Sequence, residues 1–342
     1  MKNIEVHPVL NLDKPRPTWS VIIPTYNCAN YLKQTIESVL IQDRGIENME
    51  IWVVDDCSSD NPREIVEEFG RGRVGFYKQE QNVGQLNNFS TCLNLSKGKI
   101  IHLLHGDDFV HNNFYESLEK SLLSDNNIGA GFTGHNVVNE TGGLIVTSEL
   151  LADNAGVIEN FLSIITCRQV IQTPSIVVKR EVYEKLGAFS KDLTWVEDWE
   201  MWIRIASNYK IYYEPTVLAS YRVHNNSNTE NSINTGRFVK DVLKCIKVYS
   251  SYLKVTKDEK KKIIQSAKQH YLNYARQQSR ERVSVTILFR SLQLVYNSSS
   301  FFSILYQIPK IFFRASKYKS KIFLGGLKKK LVLLVKKGFV KY

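Results

Sequence analysis

The sequence predicts an α/β fold, a mixed and mostly parallel sheet flanked by helices, continued by a basic helical extension at the carboxyl end. Three observations carry that prediction. From Trp19 onward short β-rich runs alternate with segments of helical period, the pattern of a parallel sheet covered by helices. Pairs of carboxylates, Asp55 with Asp56 and Asp107 with Asp108, close two of the apolar runs. Beyond the Asn- and Ser-rich stretch 225–234 the chain turns helical and increasingly basic.

The elements follow in order. "WSVIIP" reads as the first strand. Leu32, Ile36, Val39 and Leu40 then share one face of a helix over 30–41. "EIWVVDD" is a second strand. A helix starts after it, with Asn61 as N-cap, Pro62 in the first helical position and Glu64 three residues past the cap. "RVGFYK" is a third strand, and Leu86, Phe89 and Leu93 mark a helix that ends before Gly98 and leads into "KIIHLLHGDD". The order then becomes mixed: a helix over 113–124, strands over 128–133 and 143–147, a helix over 157–166, and a strand with a short helix in "TPSIVVKREVYEKLGAF". Trp199, Trp202, Ile203 and Ala206 form a helical stripe whose spacing marks the two tryptophans as core, and "KIYYEP" and "TVLASYRV" supply two late strands. These elements divide the chain into an amino-terminal extension (1–18), an α/β domain (19–230) and a helical, basic extension (231–342).

Composition narrows the class. The 342 residues, 43% hydrophobic, are enough for a substantial core. The net charge of +11 belongs to the tail: of 45 Lys and Arg, 13 lie after Glu281, where no Asp or Glu occurs, so 1–281 carry 32 basic against 34 acidic groups. Five scattered cysteines without a CxxC pair argue for a reducing compartment and against structural zinc. No leader-like apolar region and no run long enough to cross a bilayer is found, so a cytoplasmic location is expected.

The carboxylate pairs carry the chemistry. In an open α/β sheet ligands sit beyond the carboxyl ends of the strands, where Asp107 and Asp108 fall. Such a pair can hold Mg²⁺ or Mn²⁺ together with phosphate oxygens, or it can cap the following helix. Asp55 and Asp56 can accept hydrogen bonds from a base or ribose, or build an Asx turn with Ser58, Ser59 and Asp60. Glu197 and Asp198 stand before the Trp199 stripe, where desolvation would tune a general base and where ordinary N-capping is the alternative.

Together "SVIIPTYNCANYLKQTIESVLIQ", "VVDDCSSD", "NVGQLNNFSTCLNLSKGKIIHLLHGDD", "TPSIVVKREVYEKLGAF", "EDWEMWIRIA" and "YRVHNNS" give the chain, over residues 19–229, a close resemblance to the inverting glycosyltransferases of family 2, which have the GT-A fold. The resemblance implies transfer of a sugar from a nucleotide-diphosphate sugar to a saccharide acceptor. It implies that Pro24, Thr25, Tyr26 and Asn27 belong to the nucleotide-binding loop, Asp55 and Asp56 to the base and ribose site, and Asn82 and Gly84 to the donor site. "HGDD" takes the place of the family's DxD motif, with Asp107 and Asp108 as metal ligands and His105 where the motif has its first aspartate. Asp198 becomes the base and Glu197 its neighbour. His224 either helps position diphosphate or metal or simply ends a strand. The QxxRW of processive synthases does not follow the Glu197–Asp198 pair, so one sugar per encounter is expected.

The tail "SKYKSKIFLGGLKKKLVLLVKKGFVKY" interleaves lysines with leucines, which suits a membrane interface better than nucleic acid; a solvated bundle or oligomer surface is the plain alternative. A lipid-linked acceptor in surface polysaccharide or glycolipid assembly, reached by a peripheral enzyme on the inner face of the cell membrane, is the expected setting. A non-catalytic nucleotide-sugar-binding or scaffolding protein is the second reading, prompted by His105.

Overall fold

The computed structural model describes residues 3–9, 15–225 and 227–282, with positions 287 and 290. The basic tail lies outside the described residues. The first half alternates as expected: β1 (Trp19–Thr25), α1 (Ala29–Leu40), β2 (Met49–Asp55), α2 (Pro62–Phe69), β3 (Val74–Lys78), α3 (Gln85–Leu95) and β4 (Ile100–Leu103). β5 (Phe109–Val110), α4 (Phe114–Ser124), β6 (Ile128–Val138), β7 (Leu144–Thr147), β8 (Gly156–Val157) and α5 (Phe161–Cys167) follow. Then come β9 (Ile176–Lys179), α6 (Arg180–Leu186), α7 (Glu197–Ala206), β10 (Lys210–Arg222) and the helices α8 (Asn228–Thr235), α9 (Phe238–Tyr252) and α10 (Lys257–Glu281).

One sheet runs β3-β2-β1-β4-β9-β6-β10-β5, with β7 on β6 and β8 on β10. β3, β2, β1 and β4 are parallel, β9 is antiparallel to both its neighbours, and β10 lies parallel to β6. β1 shows why the strands form here: Trp19, Val21 and Ile23 enter the core under α1 and α4, while Ile22 enters the core on the opposite face. Gly98 sits where a Cβ would come within 2.5 Å of the Ser20 backbone nitrogen, and its own N–H donates to Ser20 Oγ at 2.7 Å.

Four expectations change in detail. Asn61 precedes α2 but its backbone is left-handed (φ 55°) and its side chain makes no capping bond. Residues 156–157 pair with β10 as a strand, which delays α5 to Phe161. The two late strands are one, β10, whose register shifts between Glu214 and Val217 absorb Pro215, a residue with no N–H for the ladder. The boundary at 230 falls inside α8, and Phe238, Ile246, Tyr249, Leu272 and Ala275 of α9 and α10 share a core with Trp199 and Ile165. The amino-terminal segment also docks: Ile4 N–H donates to Phe189 O (3.0 Å), and Arg180 donates to His7 O (2.7 Å).

Because backbone rather than a side-chain tip blocks position 98, Gly98→Ala is expected to destabilise the protein by about 1–3 kcal/mol. Urea denaturation checks this.

Candidate active site

The loops at the carboxyl ends of β1, β2 and β4 meet the head of α7 and the end of β10 around a cleft of about 920 Å³. All but two of the residues singled out in the sequence line it: Pro24, Thr25, Tyr26, Asn27, Asp56, Asn82, Gly84, Asp107, Glu197, Asp198 and His224. The exceptions, Asp55 and Asp108, lie beneath its surface and are buried.

On one side of the cleft two loops are clasped together. Asn27 N–H donates to Ser58 Oγ (2.9 Å), Ser59 N–H donates to Asn27 Oδ1 (2.9 Å), and Ala29 N–H at the start of α1 donates to Asp60 Oδ2 (2.8 Å). Asp55 turns the chain, its Oδ1 accepting from Ser58 N–H (3.0 Å) while its Oδ2 is buried without a hydrogen-bond partner. Asp56 accepts from Val83 N–H (2.7 Å) and Gly84 N–H (2.9 Å) and so holds the entry to α3; burial raises its pKa against those bonds. Tyr26, 52% exposed, is the open face of this side.

The acidic turn after β4 is fixed from three directions. Gly106 N–H donates to Pro24 O (3.0 Å), and a Cβ on Gly106 would press Cys28 and Thr25. Thr35 of α1 donates its hydroxyl to Asp108 O (2.6 Å). Arg222 donates from its backbone to Asp108 Oδ1 (2.8 Å) and from Nε to Asp107 O (2.8 Å), and its other nitrogens reach Asn139 O, Glu140 O and Gln34 Oε1. His224 Nε2 lies 2.9 Å from Asp107 Oδ2, and that contact lowers the Asp107 pKa against burial, the largest influence, which raises it.

His105, Asp107 and Asp108 present ligand atoms within 4.8 Å of one another. Asp108 Oδ2 and His105 Nε2 are both buried without a hydrogen-bond partner, a costly arrangement that a divalent cation would relieve. Burial and the Asp107 charge push the Asp108 carboxyl well up, while burial pushes His105 down to the neutral form a metal requires. The donor set therefore fits a cation, and imidazole among carboxylates suits Mn²⁺ better than Mg²⁺.

At the other side of the cleft, Asp198 accepts from Trp199 N–H (2.7 Å) and from Gln169 Nε2 (2.5 Å), and Glu197 accepts from Gln85 Nε2 (3.0 Å). Burial raises the Asp198 pKa to about 6 although both donors oppose it. Burial, then the Asp198 charge, raises Glu197 further, to about 8. Trp199 and Trp202 are buried in the core, as their spacing implies.

Residues 20–160 match the family model described as glycosyl transferase family 2. Over those residues the chain is similar to the family 2 glycosyltransferases. A glycosyltransferase of Rickettsia felis, described as uncharacterized, is 27% identical over 258 residues, which are 72% of this chain and 41% of that protein. An uncharacterized glycosyltransferase of Rickettsia typhi is 25% identical over 221 residues, 64% of this chain and 68% of its own length. The chondroitin synthase of Pasteurella multocida is 29% identical over 130 residues, 38% of this chain and 13% of the synthase. Among solved structures, residues 1–349 of Staphylococcus aureus TarS superpose with a TM-score of 0.62 at 17% identity, over 81% of this chain and 80% of that one. The mannosyltransferase PcManGT from Pyrobaculum calidifontis, in complex with GDP-Man and Mn²⁺, gives 0.55 at 17% identity over 94% and 81%.

Sequence reasoning missed three polar residues that line the cleft, His105, Gln85 and Gln169, and a fourth, Arg222, behind its acidic turn. His105 was read only as a departure from a motif, yet it sits with Asp107 and Asp108. Arg222 lay inside the quoted "YRVH", and an arginine ending a strand beside a ligand candidate was the available signal. Gln85 and Gln169 offered none, because a glutamine's role depends on what faces it.

Arg222 is buried and serves acceptors on both sides of the acidic turn. Arg222→Met keeps the backbone bond to Asp108 but strips the guanidinium's donors from Asp107 O, Asn139 O, Glu140 O and Gln34 Oε1, and is expected to cost about 1–3 kcal/mol in urea unfolding.

Proposed function

We propose that the protein transfers one sugar from a nucleotide-diphosphate sugar to a saccharide hydroxyl with inversion of configuration. The observation that supports this best is that Asp107 and Asp198, 91 positions apart in the chain, line one cleft. The loops of Asn27, Asp56, Asn82 and Gly84 would take the nucleotide and the donor sugar. His105, Asp107 and Asp108 would hold the cation, which when bound neutralises charge on the leaving diphosphate.

Asp198 is the proposed base. It takes the proton of the acceptor hydroxyl as that oxygen bonds to the anomeric carbon, and the bond from that carbon to the diphosphate oxygen breaks on the opposite face. Glu197, whose pKa is raised above that of Asp198, remains protonated beside it. Lone carboxylates at this depth would repel; one proton on the pair removes the conflict. Partial water exclusion comes from α8 and α10, whose residues Asn228, Tyr274 and Gln278 also border the cleft.

The finer setting is a lipid-linked acceptor in surface polysaccharide or glycolipid assembly, with the enzyme peripheral to the inner face of a membrane. Its support is the composition of the tail, 315–342. Among the described residues no helix is long and apolar enough to cross a membrane.

Release of nucleoside diphosphate with a matched donor and acceptor tests the reaction. Asp198→Asn should lower kcat by about 10²–10⁴ while donor affinity stays within a few-fold; unchanged turnover would remove Asp198 as the base. Because the Asp198 pKa is raised in the folded protein, the reactive carboxylate is lost as pH falls, so kcat/KM should drop below about pH 6 and stay level above it. A panel of nucleotide sugars scored by thermal shift should give one base-selective hit that Mn²⁺ strengthens and Asp107→Ala weakens.

A further inference from the structure

The two carboxyls at the head of α7 are each faced by one glutamine, and the two are held differently. Gln169 follows α5, and its Nε2 donates both to Asp198 Oδ2 (2.5 Å) and to Ile171 O (3.1 Å). Both amide hydrogens are thereby committed, so the side chain cannot turn its oxygen toward Asp198 and accept a proton from it. The second oxygen, Oδ1, already accepts from Trp199 N–H. Asp198 thus has a donor on each oxygen, and the Thr173 hydroxyl is a further side-chain partner that favours its ionised form.

Glu197 differs. Gln85 Nε2 donates to its Oε1, and Gln85 is kept in that sense because its own Oε1 accepts from Asn228 Nδ2 (3.2 Å). Oε2 of Glu197, however, is buried without any hydrogen-bond partner, so a proton can sit there at the loss of no existing bond. An ionised oxygen in that position would be an uncompensated buried charge.

We propose that Gln169 is a positioning residue that keeps Asp198, and not Glu197, as the ionised member of the pair, and so decides which carboxylate receives the acceptor proton. Only that last clause rests on the proposed transfer reaction. Other ionisable groups bear on the pair from every side: Asp241 and Cys245 from α9, Tyr271 from α10, Tyr221 from β10 and Glu200 one turn along α7. Glu200 is bound to Arg204 at 3.0 Å, and Asp241 accepts from Thr194, so both have partners of their own. None of these supplies the hydrogen-bond donor that Gln169 supplies.

The test is a titration of the full chain, labelled with ¹³C at Asp and Glu side-chain carboxyls and assigned with Asp198→Asn and Glu197→Gln. In the wild type, Asp198 should ionise at lower pH than Glu197. Gln169→Met keeps the length of the side chain and removes the donor, and should move the Asp198 midpoint up by about one pH unit or more. The acid limb of turnover should move with it, with the KM for donor unchanged. Wild-type ionisation in the reverse order overturns the inference whether or not the Met variant folds, and so does a midpoint that stays in place in a folded Met variant. The titration needs no substrate, so failure of the transfer reaction in the Asp198→Asn assay is a separate outcome.

Discussion

Arg222 joins the last strand of the sheet to the acidic turn that follows the fourth. Its backbone N–H meets the Asp108 carboxylate and its guanidinium meets the Asp107 carbonyl, two carbonyls of the β6–β7 connection and Gln34 of α1. A planar group with five N–H donors can serve such divergent acceptors at once, which an ammonium cannot. Tyr31 and Phe109 lie 4.8 and 5.4 Å from the guanidinium as measured to their ring centres, so the charge is sheltered as well as hydrogen-bonded. The ligand atoms of the turn are consequently set before any cation arrives, and β10 delivers His224 to Asp107 as a by-product of the same docking.

The opposite wall is braced from behind. Trp199 lies 5.0 Å from Tyr271 and 5.7 Å from Tyr249 between ring centres, its indole N–H donates to Ile165 O, and Tyr249 donates to Thr166 O. This aromatic packing from α9 and α10 removes water from the head of α7. Burial is the main reason the two acidic groups there hold protons more tightly than free carboxyls. Packing and proton affinity are therefore one chain of cause, in which helices outside the span of the family model take part.

Where burial alternates along the chain, the fold could be read from the sequence. The period-two faces of β1, the stripe of α1 and the Trp199 stripe of α7 all lie where their spacing puts them. Reading failed where a residue's meaning depends on a distant partner. Asn61 has the composition of a cap, but its left-handed backbone withholds the side chain, and Asp60 instead serves α1 across the loop. Asp55 and Asp56 are alike in sequence; only the folded loops show one turning the chain and the other gripping Val83 and Gly84. "KIYYEP" and "TVLASYRV" read as two strands, whereas a bulge at Pro215 carries β10 through both as one.

The amino-terminal segment described above has a temporal side. Residues 4 and 7 leave the ribosome well before their partners Phe189 and Arg180, which are made some 170 to 190 positions later. The sheet can nucleate on β1 and β2 without them, so this strap closes only once α6 exists. It acts as a late latch, secured only by chain made long after it.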